Sequence, residues 1–275
     1  MAIVTTEGVV LKVHALGDTS RIVTAYTRDY GLRKFVAKGA RRTPSRFGYA
    51  LEPLSRSRFV FYLKPDRDLH LLSQAEVLDP LGSRLGDLRR LAHAQAALEI
   101  VDRLVWGEEP HEALYALLGA TLAGCARAPV GALPAVTLAF QLQLASELGY
   151  RPRLDACAVD GRPVSQRRLF SPARGGLVCD ACAAREGGVV AMSAEALASL
   201  ALLLSRPVGD AGEFAEIAQG HELLRVVEDF LRQHFQRFQG LRSLEVLRAL
   251  DEPGPRSGAG NARARVPQNA PPRLD

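Results

Sequence analysis

Cysteine is scarce in this 275-residue chain: there are four, at positions 125, 157, 179 and 182. That is too few to staple a fold of such length, so a disulfide framework is not expected. Long hydrophobic runs are missing as well. The longest, ALASLALLL from residue 196, falls far short of the roughly 20 residues a membrane helix needs, and the opening MAIVTTEGVVLKVHALG lacks the basic start and apolar core of an export signal. The expected compartment is the cytoplasm. Catalytic motifs are also lacking: no G-x-S-x-G elbow, no G-x4-G-K-[ST] phosphate loop, and no G-x-G-x-x-G after a strand. HEALY at His111 and HELLR at His221 begin like a zinc-protease helix but carry no second histidine four residues on. Both are expected at helix surfaces or starts, and an enzyme is not expected.

Apolar residues make up 47% of the chain, ample for a buried core and for one to three globular units. The first 80 residues carry five short segments rich in Val, Phe, Tyr, Leu and Thr: GVVLKVHAL, RIVTAYT, LRKFVAK, SRFVFYL and DLHLLSQAEVL. Turn signals separate them at Leu16-Gly17-Asp18, Asp29-Tyr30-Gly31 and Lys64-Pro65-Asp66, which predicts five strands and a small barrel. After Pro80 the period changes to 3.6. Leu114, Leu117, Leu118, Thr121, Leu122 and Cys125 form one apolar stripe, and Leu223, Val226, Val227, Phe230, Leu231, Phe235 and Phe238 form another. Segments 84–106, 133–148 and 193–205 are further helices, the last opened by Ser193. Cys125 and His234, both on apolar stripes, are expected in or at the edge of the core; His93 either extends a basic surface with Arg89 and Arg90 or has no role. The stretch 251–275, made of Pro, Gly, Ala and Arg with almost nothing to bury, is expected to be a flexible basic tail.

Net charge is +5, and its distribution matters more than its size. Between Arg28 and Arg67 eleven cations face only Asp29, Glu52 and Asp66, a local excess of +8. Within it, RKFVAKGARRTPSR sets Lys34, Lys38, Arg41, Arg42 and Arg46 around a strand end and a glycine-containing loop. Tyr26, Tyr30, Phe35, Phe47 and Tyr49 are interleaved with them. Cations neutralise phosphates and exposed rings stack bases whatever their identity, so this stretch points to nucleic acid. The alternative is a solvated basic face with its aromatics turned inward.

Residues 157–182 read C-x2-D-x18-C-x2-C. Two ligand pairs on two tight turns can enclose a tetrahedral metal, and carboxylate oxygen is an acceptable zinc ligand, so Cys157, Asp160, Cys179 and Cys182 are the candidate set. Gly161, Gly175 and Gly176 flank the pairs and supply unhindered backbone. Four protein ligands leave no open position, which makes such a zinc structural and argues against a zinc hydrolase. The alternative is a loop without metal, with Cys179 and Cys182 as ordinary thiols or a disulfide.

In this order these pieces resemble the RecO family of bacterial DNA repair and recombination mediators. GVVLKVHALGDTSRIVTAYTRDYGLRKFVAKGARRTPSRFGYALEPLSR is similar to the family's opening strand, its turn and its AKGARR loop, and LASELGYRPRLDAC with GGLVCDAC to the lead-in to its zinc loop. The resemblance spans about residues 3–240. It implies an α+β protein with an OB-type barrel at 1–80 and a helical domain in two parts, 81–149 and 193–240, around a zinc-binding insertion at 150–192. It also implies a non-enzymatic, cytoplasmic and nucleoid-associated protein that binds single- and double-stranded DNA and anneals complementary strands. Its implied partners are RecR, single-strand-binding protein and RecA, the recombinase it would help load onto protein-coated single strands in gap and break repair. An acidic tail on single-strand-binding protein would want an apolar groove rimmed by Arg. The matched loop implies DNA contacts for Lys34, Lys38, Arg41, Arg42 and Arg46, with Arg56 and Arg58 as flanking candidates. Asp160 departs from the family members with a zinc site, which usually have Cys there. A second reading keeps an OB-fold RNA-binding or protein-interaction scaffold.

Overall fold

The computed structural model describes residues 2–64, 67–107, 109–210, 214 and 221–251. The expected turn residues Pro65 and Asp66, and all of the tail beyond Asp251, lie outside the described residues.

Five strands form the N-terminal part: β1 (Ala2–Leu16), β2 (Ser20–Thr27), β3 (Gly31–Ala37), β4 (Ser55–Leu63) and β5 (Leu69–Pro80). They follow the order β1-β2-β3-β5-β4, and β1 pairs with both β2 and β4, so the pairings close on themselves. The parallel pairing in this sheet is short, joining Lys34, Phe35 and Val36 of β3 to Leu69, His70 and Leu71 of β5. Alternation along each strand puts one side inward. Phe35 of β3 stacks on Phe59 of β4 at 5.2 Å and meets Phe61 at 4.9 Å, within a core that includes Val10, Val23, Ala25 and Leu72.

Among the described residues, seven α-helices and three short strands follow: α1 (Leu88–Leu104), α2 (Glu112–Arg127), α3 (Leu133–Glu147), β6 (Leu169–Ser171), β7 (Gly176–Val178), α4 (Asp180–Ala183), β8 (Val190–Ala191), α5 (Ala194–Ser205), α6 (His221–His234) and α7 (Arg242–Asp251). At three helix starts, where the first N–H groups have no partner within the helix, the preceding residue's side chain caps the helix. Asp87 accepts from the Arg90 N–H at 2.9 Å, His111 Nδ1 from that of Leu114 at 3.2 Å, and Ser193 Oγ from that of Ala196 at 3.1 Å. His111 thus stands at a helix start, as its sequence context predicts. Among the described residues no helix is long and apolar enough to cross a membrane.

The fold class expected from the sequence, an N-terminal five-stranded OB-type barrel followed by an α-helical domain carrying a small zinc-binding insertion, needs correction. What the structure supports is α+β: an N-terminal sheet, C-terminal helices and a candidate metal cluster. No strand is expected from the sequence after Pro80, yet β7-β6-β8 form a second sheet among the C-terminal helices. Nor are the parts packed independently of each other. Val9 and Leu11 of β1, with Tyr26, belong to the same buried cluster as α1, α2 and α3, while Val10 between them faces the first sheet's own interior. Successive side chains of a strand point to opposite faces, so β1 serves both cores at once. Phe170 and Leu177 carry the second sheet into the larger cluster too. An ion pair of 2.7 Å between Lys12 and Asp102 adds to the junction of β1 with α1.

The apolar stripe of α6 ends differently from its expected course. The helix stops at His234, and Phe235 and Phe238 are buried from the turn that follows. Cys125 is in the core, where burial pushes its thiol up to about 12. His234 sits at the core's edge, its Nε2 3.0 Å from the Pro172 carbonyl and its ring against Phe230 and Tyr150.

His93 is buried on α1, not part of a basic surface, with Nδ1 2.7 Å from Thr137 Oγ1. Burial, and secondarily the charge of Arg89, lower its pKa to about 4. Unfolded, the same group titrates near 6.5. Between these values the unfolded chain binds the extra proton, so this contribution to stability is full above about pH 6.5 and is lost as pH falls toward 4. Its size is at most about 3 kcal/mol. Urea titrations at pH 7 and pH 5 check this: the loss of stability between them should shrink in His93→Gln relative to the parent, and an equal loss in both would contradict it.

Candidate nucleic-acid interface and metal centre

The basic loop leaves β3 at Ala37 and runs to β4, and three ties hold it to the sheet. The Arg41 N–H donates to the Thr19 carbonyl at 3.0 Å and its guanidinium to the Gly17 carbonyl at 2.6 Å, while the Leu54 N–H donates to the Val10 carbonyl at 3.1 Å. Ala40, Phe47, Ala50 and Leu51 are buried beneath it. The cations stay outside: Lys34, Lys38, Arg41, Arg42 and Arg46 are all exposed. None of the five has a carboxylate partner among the described residues, and Arg46 rests its guanidinium 4.6 Å above the Phe47 ring. Exposed cations without counter-charges keep their field for a mobile polyanion.

The structure adds two cations to this group. Lys38, Lys64 and Arg67 line a groove of about 470 Å³ with Val36, Asp68, Leu69, His70 and Leu71, along the short parallel seam of β3 and β5. The sequence shows Lys64 and Arg67 only as members of the charge excess; their place beside Lys38 comes from the β3–β5 pairing. Arg56 and Arg58 stand elsewhere. Arg58 pairs with Glu76 across to β5, seven positions from Leu69, the partner of Lys34. At the rise of a strand that is roughly 23 Å. Arg58 is also engaged with carboxylates, Glu76 at 3.0 Å and Glu7 at 4.0 Å, whereas Arg56 has no such partner among the described residues.

The cysteine segment is built onto the second sheet. Phe170 and Leu177 anchor the β6–β7 hairpin in the main core, and the segment before the first cysteine lies alongside it, with Arg153 bridged to Gly176 in parallel and the Ala158 N–H donating to the Leu177 carbonyl at 2.7 Å. Gly176 is required there, because a Cβ would stand 2.5 Å from the Arg153 carbonyl oxygen. Gly161, at φ +74°, closes the turn after Asp160. These constraints bring the four predicted residues together: one ligand atom from each of Cys157, Asp160, Cys179 and Cys182 lies within 4.8 Å of every other. Asp160 Oδ2 is 3.4 Å from Cys182 Sγ and 3.7 Å from Cys179 Sγ. Metal–ligand bonds of about 2.0–2.3 Å in a tetrahedron set ligand atoms about 3.3–3.8 Å apart. The donor set and its spacing fit a divalent metal.

Electrostatics within the cluster point the same way. The carboxyl of Asp160 is held down to about 2, first by its hydrogen bond with Cys157 and then by the Arg162 N–H. Burial works against the Cys157 thiolate, but the backbone N–H groups of Asp160, Cys179 and Val159 outweigh it and lower the pKa. Cys182, desolvated and bonded to Cys179 and Asp160, is pushed up to about 12. Crowded anionic donors suppress one another's ionisation, and a divalent cation among them reverses that order.

An apolar cavity of about 230 Å³ lies between α1, α3, α6 and α7, lined by Leu138, Leu224, Phe238 and Leu241. Its rim carries Arg248 but also Glu228 and Glu245, so it lacks the basic rim that an acidic tail would want.

Two sequence patterns decide the family. The one described as "Recombination protein O N terminal" matches residues 1–81, and "Recombination protein O C terminal" matches residues 85–245. The chain belongs to the RecO family. Among its relatives, the DNA repair protein RecO of Streptomyces griseus is 36% identical over 256 residues, covering 90% of this chain and 99% of the relative. RecO of Anaeromyxobacter dehalogenans strain 2CP-C is 35% identical over 253 residues, covering 91% and 97%, and RecO of Nocardioides sp. is 35% identical over 249 residues, covering 86% and 96%. Membership in RecO makes the chain, in general terms, a DNA-binding recombination mediator and not an enzyme. It also implies dealings with RecR, single-strand-binding protein and the RecA pathway.

Proposed function

We propose that this chain holds single- and double-stranded DNA by its phosphates, anneals complementary strands, and in doing so helps RecA onto protein-coated single strands in gap and break repair. The observation that carries the reading is the set of exposed cations Lys34, Lys38, Arg42 and Arg46, free of carboxylate partners among the described residues, beside Arg41 on a loop tied to the first sheet. Contacts to phosphate carry no sequence information and leave base edges free to find a complement. Annealing therefore asks for no catalytic group. Lys64 and Arg67 lengthen the path along the β3–β5 seam, and Arg56 and Arg58 form a second, weaker stretch because Arg58 must give up its carboxylates to bind.

Zinc is the metal this reading assigns to Cys157, Asp160, Cys179 and Cys182, in a structural role, because all four positions of a tetrahedron are filled by protein. When bound it supplies rigidity. The chain's own residues do the placing: β6 and β7 fix Cys179, and the turn at Gly161 fixes Cys157 against Asp160. In this reading residues 1–80 are the nucleic-acid unit, 81–149 and 193–240 the helical unit, and 150–192 the metal segment that offers a surface to protein partners such as RecR. The site of action is the cytoplasm, at the nucleoid.

Phosphate contacts alone do not separate DNA from RNA, which keeps an RNA-binding scaffold as the competing reading. Competition with equal-length oligonucleotides distinguishes them. Unlabelled DNA should displace a bound DNA strand at lower concentration than RNA does, and equal or better displacement by RNA would overturn the DNA assignment.

A further inference from the structure

Five aromatic side chains are interleaved with the cations of residues 26–49, and their environments differ sharply. Tyr26, Phe35 and Phe47 are buried, and Tyr30 sets its ring edge-on to Phe61 with centroids 5.5 Å apart. Tyr49 is 79% exposed. A single exposed ring is ordinary on a protein surface; what sets this one apart is how it is held. It stands on a 3-10 turn, Gly48–Leu51, where Ala50 and Leu51 are buried. The Tyr49 carbonyl accepts from the Glu52 N–H at 3.1 Å and from Ser55 Oγ at 3.2 Å, and the Ala50 carbonyl from Ser57 Oγ at 2.8 Å. These bonds fix the backbone of the turn, while Ala50 and Leu51 take its buried positions.

The charges around the turn suit a polyanion. Arg46 precedes Tyr49 by three residues, and Arg56, without a carboxylate partner among the described residues, follows Ser55, which is bonded to Tyr49. The carboxylate nearest the turn in sequence, Glu52, is bound by Arg21 at 2.7 Å. Beside the ring, Gly48 has φ +51° and open space where a Cβ would stand, so nothing at that position blocks an approaching base.

We infer that Tyr49 stacks an unpaired base of a strand held by the loop cations, and that it biases this interface toward single strands. The inference rests on the phosphate-binding reading above. In a duplex each base face is covered by its neighbours, whereas in a single strand a face is available to a ring and every base offers one. The ring therefore strengthens binding of single strands and leaves duplex binding unchanged.

Equilibrium binding of the full chain to three equal-length ligands tests this: oligo-dT, a single strand of abasic sugar-phosphate, and a duplex. Tyr49→Ala should weaken oligo-dT binding about fivefold or more, leave the abasic strand and the duplex unchanged, and be rescued by Tyr49→Phe. Unchanged oligo-dT binding, or an equal loss on all three ligands, would overturn the inference. The phosphate reading fails separately, if Lys34→Glu with Lys38→Glu leaves abasic-strand binding intact.

Discussion

Reversing two charges, Lys34→Glu with Lys38→Glu, should weaken binding to every DNA sequence alike, on the order of tenfold at about 50 mM salt. The expected signature is in the salt dependence. A phosphate that no cation neutralises keeps its condensed counterions, so the slope of log K against log salt should become shallower by about 0.7 for each such phosphate of a single strand, about 1.4 for the pair. Both side chains are exposed and neither is engaged with a carboxylate among the described residues, so the melting temperature should hold. Arg58→Ala is the internal control. Its guanidinium already faces Glu76 and Glu7, and its removal should cost far less affinity than the lysine pair. Titrations at four salt concentrations give both the affinity and the slope; unchanged binding in the double variant would remove the site from this loop.

Cys179→Ser should release the metal and lower stability before it touches DNA affinity. Cys179 is buried and packs with Cys157, Leu169 and Val178 in a small cluster at the base of the second sheet. Removing one thiolate leaves two thiols and a carboxylate, a poor set for zinc, and the stability that metal binding lends to the fold is lost with it. The hairpin that the cluster stabilises also carries Phe170 and Leu177 into the main core, so the loss spreads. A drop in melting temperature of about 5–10 °C is expected, since roughly 2–4 °C accompanies each kcal/mol in a protein of this size. Metal analysis of the purified chain and calorimetry check it together. About one zinc per parent chain and much less in the variant is the expected result; equal metal content in the two would refute the assignment.

Much of this organisation is legible in the sequence because it rests on local periodicity. The five strand segments follow from composition and turn signals, the stripes of α2 and α6 from side-chain period, and the C-x2-D-x18-C-x2-C spacing brings four ligands to one point because two turns and a hairpin leave the chain little freedom. What escaped depends on residues distant in sequence. β6, β7 and β8 are two or three residues long, too short to show an alternation. The capture of Val9 and Leu11 by the helical core is invisible in β1, which reads as one side of a sheet until the helices are in place. α7 follows the last expected helix with only ten residues and no cap signal that stands out. Among the cations, Lys64 and Arg67 join Lys38 through strand pairing, and Arg58 leaves the group for the same reason. The outward turn of Tyr49 depends on the burial of Ala50 and Leu51, which no spacing announces.

Whether a basic loop holds strands for pairing without catalysis is decided in one reaction. Two complementary oligonucleotides, each coated with single-strand-binding protein, are mixed with and without this chain, and duplex formation is followed in the absence of ATP. Acceleration by the parent chain, abolished in Lys34→Glu with Lys38→Glu, is the predicted result. No acceleration, with binding of the strands confirmed, would contradict it.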